Sequence, residues 1–328
     1  MNPASQYHII AEGAAWIDAR ARGRLKFEGK DAASFLHALV TNDVQSLAAG
    51  GGVYAALLTP QGRMLTDLTI HKLEDGLLAS VPPGLAASLV DRFDQLIFSE
   101  DVRVSDVSAS IAQIGVVGRN AVAVLAQIFA RPHRDLEILP PLGHVIAGDA
   151  VIVRSTDFEL PAFGVFVPAD AFDLVVRRLA DLGVGSLGTE LADALRIEAG
   201  RPAFGVDMTE ETIPLEAGLL ERAISTTKGC YVGQEVIIRI LHRGAGRVVR
   251  RLVRLDSDAP PDAVPASGAQ IFHDGREIGR ITSASASPGA QRVVALGYVH
   301  RDLAETGQSI EFDSPRGRQR ATIVGFAS

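Results

Sequence analysis

Gly23-Arg24-Leu25-Lys26-Phe27-Glu28-Gly29, followed by Asp31 and then Ala32, Phe35, Leu36, Leu39 and Val40, is the stretch on which the fold turns. Arg24 to Glu28 alternates apolar and charged side chains as a strand does, and Gly29 opens a turn. Asp31 is the candidate N-cap of a helix whose apolar residues share one face. The pattern recurs later: an apolar strand ending at Val116-Val117, then Gly118, then Asn120 as candidate cap, then Ala121, Val124, Leu125, Ile128 and Phe129 at the same spacings. A second echo has nearly the same offset. Leu77 to Val81 closes on Pro82 ahead of Leu85, Leu89 and Phe93; Val165 to Val167 closes on Pro168 ahead of Phe172, Val175, Val176 and Leu179. Two echoes predict a duplicated α+β chain: two related subdomains, each an antiparallel sheet with packed helices.

Within the stretch Leu57 to Ile70, Pro60-Gln61-Gly62 is a hairpin signal flanked by apolar runs. Asp67 is the odd residue of the second run, since strands disfavour aspartate. Strict alternation puts Leu65, Asp67 and Thr69 on one face and Met64, Thr66, Leu68 and Ile70 on the other. Asp67 is then either solvated on an open face or directed into a cleft between the halves. Glu190 to Ala199 reads as a helix stopped by Gly200 and Pro202, with Glu198 on the same face as Leu191, Ala194 and Leu195. A carboxylate near a helix C-terminus is disfavoured by the helix dipole and costly to bury. Glu198 therefore either pairs with Arg196 or Arg201, or accepts N–H donors from a ligand. Residues 201 to 220 form a loop long for a connector.

Beyond Arg254 the composition shifts. Asp256 to Gly268, with Pro260, Pro261 and Pro265, reads as a linker or long turn, and short strands separated by turns follow as far as Phe326. We expect residues 1–245 to hold the two subdomains, with the chain passing between them, and residues 246–328 to form a C-terminal β-barrel.

The totals exclude several classes of function. With 328 residues, 47% hydrophobic and 22% charged, the chain can bury a sizeable core. A net charge of -7 offers no global field for nucleic acid or anionic membrane. The basic run Arg243 to Arg254, interleaved with Val248, Val249, Leu252 and Val253, reads as an amphipathic strand with a solvated face. The start lacks the pattern of a targeting peptide, and no apolar run reaches membrane-spanning length. A single cysteine allows no internal disulfide, which points to a reducing compartment, the cytoplasm by default.

That cysteine lies in Lys228-Gly229-Cys230-Tyr231-Val232-Gly233-Gln234-Glu235. One reading is a small buried hydrophobe. The other is a reactive thiolate, favoured by the cationic Lys228 and given room by two glycines. Arg196 to Gly200, Thr212 to Leu219 and Lys228 to Glu235 together resemble the folate-binding core of the aminomethyltransferase (glycine-cleavage T-protein) superfamily. Gly275 to Ser283 resembles the signature of its terminal barrel, so the likeness covers essentially the whole chain. Within the superfamily, Lys-Gly-Cys-Tyr-x-Gly-Gln-Glu resembles the YgfZ branch of tetrahydrofolate-binding proteins that support iron–sulfur enzymes.

The resemblance implies a central site for tetrahydrofolate or a one-carbon-substituted form, between two subdomains and a barrel. By position, Glu198 matches the glutamate that holds the pterin, and Asp67 falls at the catalytic aspartate of the transferases. One acid stands there where the transferases often show two. Cys230 is then the reactive thiol or transient soft ligand, Lys228 its cation, and Tyr231 a folate-binding aromatic. Arg239 and Arg243 either hold the folate's anionic tail, dock a partner or lie on a solvated strand face. The implied function is folate-dependent assembly, maintenance or repair of iron–sulfur enzymes, with those enzymes or their assembly proteins as partners and no metal site of its own. The alternative is a one-carbon transferase using Asp67. In both, Lys228 to Glu235 forms the lip of a cleft roofed by Asp67 and Glu198.

Overall fold

A computed structural model describes residues 3–243, 246–287, 289 and 292–328. Strand Gly23–Glu28 lies in a five-stranded antiparallel sheet whose order is Gly52–Leu58, Met64–Leu73, Gly76–Val81, Gly23–Glu28, Arg103–Asp106. The second half repeats that order with His144–Ala147, Ala150–Ser155, Ala162–Pro168 and Ile111–Val117. Next to Ile111–Val117 its sheet takes Ala15–Asp18, and Gly185–Ser186 joins in parallel. The strand made first in the chain thus belongs to the second half. Helices Ala32–Leu39 and Ala86–Asp94 cover the first sheet, and Ala121–Ile128 and Phe172–Asp181 the second. Leu25, Phe27, Ile70 and Leu77 in one core, and Ile114, Ile152 and Val165 in the other, are fully buried. Each such side chain contributes about 1.5–3 kcal/mol relative to exposure.

The turn glycines explain why the motif repeats. Gly29 has φ 103° and Gly118 φ 131°; a Cβ would lie 2.1 Å from the Asp101 carbonyl oxygen at the first and 2.5 Å from that of Gly13 at the second. The two candidate caps behave differently from expectation. Neither side chain caps its helix. The Asp31 carboxylate accepts from the Asp101 N–H at 2.9 Å, and Asn120 Nδ2 donates to the Glu12 carbonyl at 3.0 Å. Both tie the helix start to a neighbouring segment.

Strict alternation also fails near Asp67. The register between the hairpin strands shifts, with Leu57 opposite Thr66 but Leu58 opposite Met64, so Leu65 is an extra residue. A bulge of this kind reverses the faces beyond it. Leu65 packs with Leu68 and Ile70 under the helices, whereas Met64 joins Tyr54, Ala56 and Leu58 on the opposite side.

The C-terminal region is a closed six-stranded barrel: Arg250–Ser257, Arg292–His300, Arg276–Ser287, Gln270–His273, Ser309–Ser314 and Gly317–Phe326, in that order. The expected linker is partly barrel wall and partly plug. Ser257 ends a strand, and Ala259 and the fully buried Ala263 pack into the barrel core. The expected boundary at residue 245 lies outside the described residues, as do the first two residues of the expected start.

Asp207 joins barrel to subdomains. Its side chain is fully buried; one oxygen takes the Arg196 guanidinium and the Ala203 N–H, the other the Thr282 and Ser283 hydroxyls. Removing one partner of a buried pair costs about 3–5 kcal/mol because the other is left uncompensated. Asp207→Ala should lower the unfolding free energy by about that amount in urea titration, and Thr282→Val, which removes one hydroxyl, by about 1 kcal/mol. Equal stability of both variants and the native chain would show that the clasp does not hold the barrel.

Candidate functional site

Between the two sheets lies a cavity of about 200 Å³. Its walls carry Tyr54, Phe163 and Phe166, the guanidiniums of Arg22 and Arg222, and the polar pair Ser80 and Gln113. Arg22 Nε donates to Ser80 Oγ at 2.8 Å, and Ser80 donates to Gln113 Oε1 at 3.0 Å, so one end is a fixed polar chain. At Tyr54, Arg222 lies 4.7 Å over the ring, and the phenol donates to Asp67 Oδ2 at 2.6 Å.

This arrangement removes the solvated reading of Asp67, whose carboxylate lies behind Tyr54 rather than on the cavity wall. Its residue is 8% exposed. Burial raises its carboxyl pKa, partly opposed by the Tyr54 hydrogen bond, and burial with the nearby carboxylate pushes the Tyr54 phenol well up. The pair is diagonal across the ladder in which Ala56 faces Asp67. Tyr54 lines the cavity, so the phenol stands between the carboxylate and any ligand there. A carboxyl shifted toward neutrality and bonded to a second proton carrier suits proton transfer.

Glu198 faces a different groove, shared with Tyr7, Glu159, Arg254, Ser287 and Arg292. The same stretch borders both, with residues 155–158 lining the first and Glu159 the second. Burial raises the Glu198 pKa, and a Ser287 hydrogen bond opposes that shift. Neither expected arginine takes its carboxylate: Arg196 turns to Asp193 and Asp207, and Arg201 donates to the Thr156 and Ser328 carbonyls. Asp67 and Glu198 thus do not roof one cleft.

The cysteine loop meets the first half at two places. Gly233, with φ 83°, packs its backbone on the Pro60–Gly62 hairpin, where a Cβ would sit 2.5 Å from the Thr59 carbonyl oxygen. Lys228 Nζ donates to the carbonyls of His37, Val40 and Asn42, at 2.7 Å and 3.1 Å for the last two, and lies 5.1 Å over the Tyr231 ring. Those carbonyls belong to or follow the C-terminal turn of helix Ala32–Leu39, where a cation is favoured. The expected role of Lys228 is therefore corrected: its ammonium is held by the helix end rather than aimed at the thiol. Burial pulls its pKa down to about 8.

Cys230 itself is exposed, which removes the buried-hydrophobe reading. Tyr231 is buried with Leu58, Met64 and Ile237, and burial raises its phenol to about 12; it is not part of the cavity wall. Arg239 is exposed on helix Gln234–His242, not on a strand. Among the described residues, no group of three or more His, Cys, Asp or Glu could hold a metal ion, and no helix is long and apolar enough to cross a membrane.

Sequence reasoning missed Tyr54, Arg222, and a histidine pair. His71 and His144 are buried with ring centroids 5.7 Å apart, and His71 stands on the cavity wall. Burial and the neighbouring His144 pull His71 down to about 3. Burial lowers His144 as well. The available signal for Tyr54 was its place on the strand paired with the one bearing Asp67.

Residues 3–228 match the GCVT N-terminal domain family, and residues 250–326 match the glycine cleavage T-protein C-terminal barrel domain family. The chain is 28% identical over 333 residues to the aminomethyltransferase of Nostoc sp., spanning 97% of this chain and 85% of that one. It is 28% identical over 317 residues to the aminomethyltransferase of Synechocystis sp., spanning 94% and 83%. The crystal structure of glycine cleavage system aminomethyltransferase T from Bartonella henselae shares the fold, with a TM-score of 0.88 over 99% of this chain and 88% of that chain at 23% identity.

Two measurements follow from the geometry. Lys228→Met removes the ammonium from the helix end, so alkylation of Cys230 by a maleimide should change in rate by several-fold; an unchanged rate would show that Lys228 does not position the loop. The folded His71 pKa of about 3 lies below its unfolded value of about 6.5, so the unfolded chain takes up the proton first. Stability conferred by neutral His71 is complete above about pH 6.5 and falls below it, by about 2 kcal/mol at pH 5. His71→Phe should flatten that acid limb of the pH–stability curve.

Proposed function

Because the chain belongs to the glycine cleavage T-protein family, we propose that it binds a reduced folate in the central cavity and acts on the one-carbon unit such a folate carries. The observation that carries this reading is the Tyr54–Asp67 hydrogen bond at the cavity wall. The lining fits the ligand class: Tyr54, Phe163 and Phe166 offer faces for a flat heteroaromatic ring, and Arg22 and Arg222 offer guanidiniums for carboxylates. The folate supplies the nitrogens that carry the one-carbon group. Asp67 holds or releases a proton through the Tyr54 hydroxyl and, when ionised, places negative charge opposite a developing cation. The naming of the Nostoc and Synechocystis relatives as aminomethyltransferases supports the transferase form of this reading.

One observation favours a second reading, that of a YgfZ-type folate-binding factor for assembly, maintenance or repair of iron–sulfur enzymes. Cys230 is exposed on a loop whose neighbours Lys228, Tyr231 and Gly233 are all anchored, so a free thiol is presented from a fixed base. A thiol so placed suits a nucleophile or transient soft ligand. A cluster takes four thiolates, so the client enzyme or assembly protein supplies the remaining ligands. Exposed Arg239, on the helix that follows the loop, is available to a client or to the folate's anionic tail.

Calorimetric titration with tetrahydrofolate tests the shared premise. Saturable binding is expected, weakened about tenfold by Tyr54→Phe, which removes from the cavity wall a hydroxyl available to the ligand. Glu198→Ala locates the pterin: strong weakening places it in the Glu198 groove, and no change places it in the central cavity. A native chain that does not bind tetrahydrofolate would end both readings. In a deletion strain, the transferase reading expects Asp67→Asn to fail and Cys230→Ala to complement. The iron–sulfur reading expects the reverse, measured as activity of iron–sulfur enzymes under oxidative stress.

A further inference from the structure

Arg222 brings a guanidinium to the cavity wall from a helix of four residues, Leu220–Ala223. A side chain so long on so short a mount needs partners to keep one place. The carboxylate that approaches it, Asp157 Oδ1 at 3.9 Å, belongs to a side chain that is 67% exposed. The closer partner is Ser328, just beyond barrel strand Gly317–Phe326: Arg222 Nη1 donates to its main-chain oxygen at 2.8 Å. Arg222 Nη2 also donates to Thr156 Oγ1 at 3.3 Å. Arg201 takes the same two residues. Its Nη1 donates to the Ser328 main-chain oxygen and hydroxyl, both at 2.7 Å, and its Nε to the Thr156 carbonyl at 2.8 Å. Two guanidiniums, which repel each other, thus share one acceptor.

Ser328 is itself fixed. Ala327 N–H donates to the Leu252 carbonyl at 3.1 Å, and Ser328 N–H to the Gly200 carbonyl at 2.9 Å. Ala327 is buried and packs with Ile197, Leu252 and Leu296. Gly218, with φ 76°, leaves room for the Ala327 carbonyl, whose oxygen would lie 1.9 Å from a Cβ there. We propose that Ser328 is a positioning residue for the cavity: its main-chain oxygen holds the Arg222 guanidinium over the Tyr54 ring and away from Asp157, so that the barrel sets the charge a ligand meets. Released from Ser328, the guanidinium turns to Asp157 in water and its place over Tyr54 is lost. A group fixed before the ligand arrives loses less freedom on binding. The hold on Arg222 stands on these contacts alone; its effect on affinity rests on the folate reading.

The test compares the full chain with Ser328→Pro, which removes the Ser328 N–H and hydroxyl, and with Gly218→Ala, which drives a methyl group into the Ala327 carbonyl. Thermal melts show which variants are folded, and Ser328→Pro alone decides if Gly218→Ala is not. Without ligand, NMR of isotope-labelled arginine reads the Arg222 side chain, assigned by its loss in Arg222→Met. The Tyr54 ring shifts those resonances upfield, and both variants should lose the shift as Tyr54→Leu does. In calorimetric titration with tetrahydrofolate, each variant should weaken binding about fivefold in the native background and not at all in the Arg222→Met background, because both changes remove one interaction. A general support of the fold would weaken both backgrounds alike. The proposal is overturned if the upfield shift survives in the folded variants, or if their effect on tetrahydrofolate binding is the same with and without Arg222. A native chain that binds no tetrahydrofolate ends the folate reading alone, and the Arg222 resonances then decide whether Ser328 holds the guanidinium.

Discussion

The Asp207 carboxylate accepts from a helix residue, a loop N–H and two hydroxyls of a barrel strand, and through them it sets where three parts of the chain stand. The helix that bears Arg196 also bears Glu198, whose carbonyl takes Arg254 of the barrel. The loop around Asp207 runs on to Thr212, whose carbonyl accepts from Met64 N–H at 2.9 Å at the start of the strand carrying Asp67. A buried charge is tolerated only when its lone pairs are filled. Here filling them requires that barrel, helix and loop all be in place, so the groove at Glu198 and the wall at Tyr54 share one support.

What could be read from the residues was what repeats over short distances. The strand–glycine–helix unit at Gly29 and Gly118 was legible because helical and strand periods differ and because both glycines answer the same backbone contact. The barrel was legible from closely spaced turns. The face of Leu65 was not, because a bulge depends on how the partner strand is registered and leaves no mark on its own strand. Nor could the partners of Lys228 be read, since the three carbonyls that hold it lie about 190 residues earlier and carbonyls are common to every residue type.

The candidate site was half legible for the same reason. Asp67 and Glu198 stood out as carboxylates on apolar patterns, and both are raised by burial. That Glu198 lines one groove while Asp67 lies behind Tyr54 at another is a property of the whole fold, in which Phe158 borders the second and Glu159 the first. Tyr54 and Arg222 drew no attention in sequence because an aromatic in a strand and an arginine in a short helix are ordinary. They matter only once Asp67 and the cavity are placed beside them.

Strand Ala15–Asp18 pairs with Ile111–Val117 and Gly185–Ser186, never with the first sheet that follows it in the chain. During synthesis this segment leaves the ribosome long before its partners exist, so it must stay unpaired while nearly a hundred further residues are added. Contacts of such sequence separation slow folding and expose an unpaired edge meanwhile. It also means that the two halves, though duplicated, cannot be cut apart between them: a fragment beginning after the first sheet would lack one of its own inner strands. The duplication thus ties the second sheet to residues made before the first.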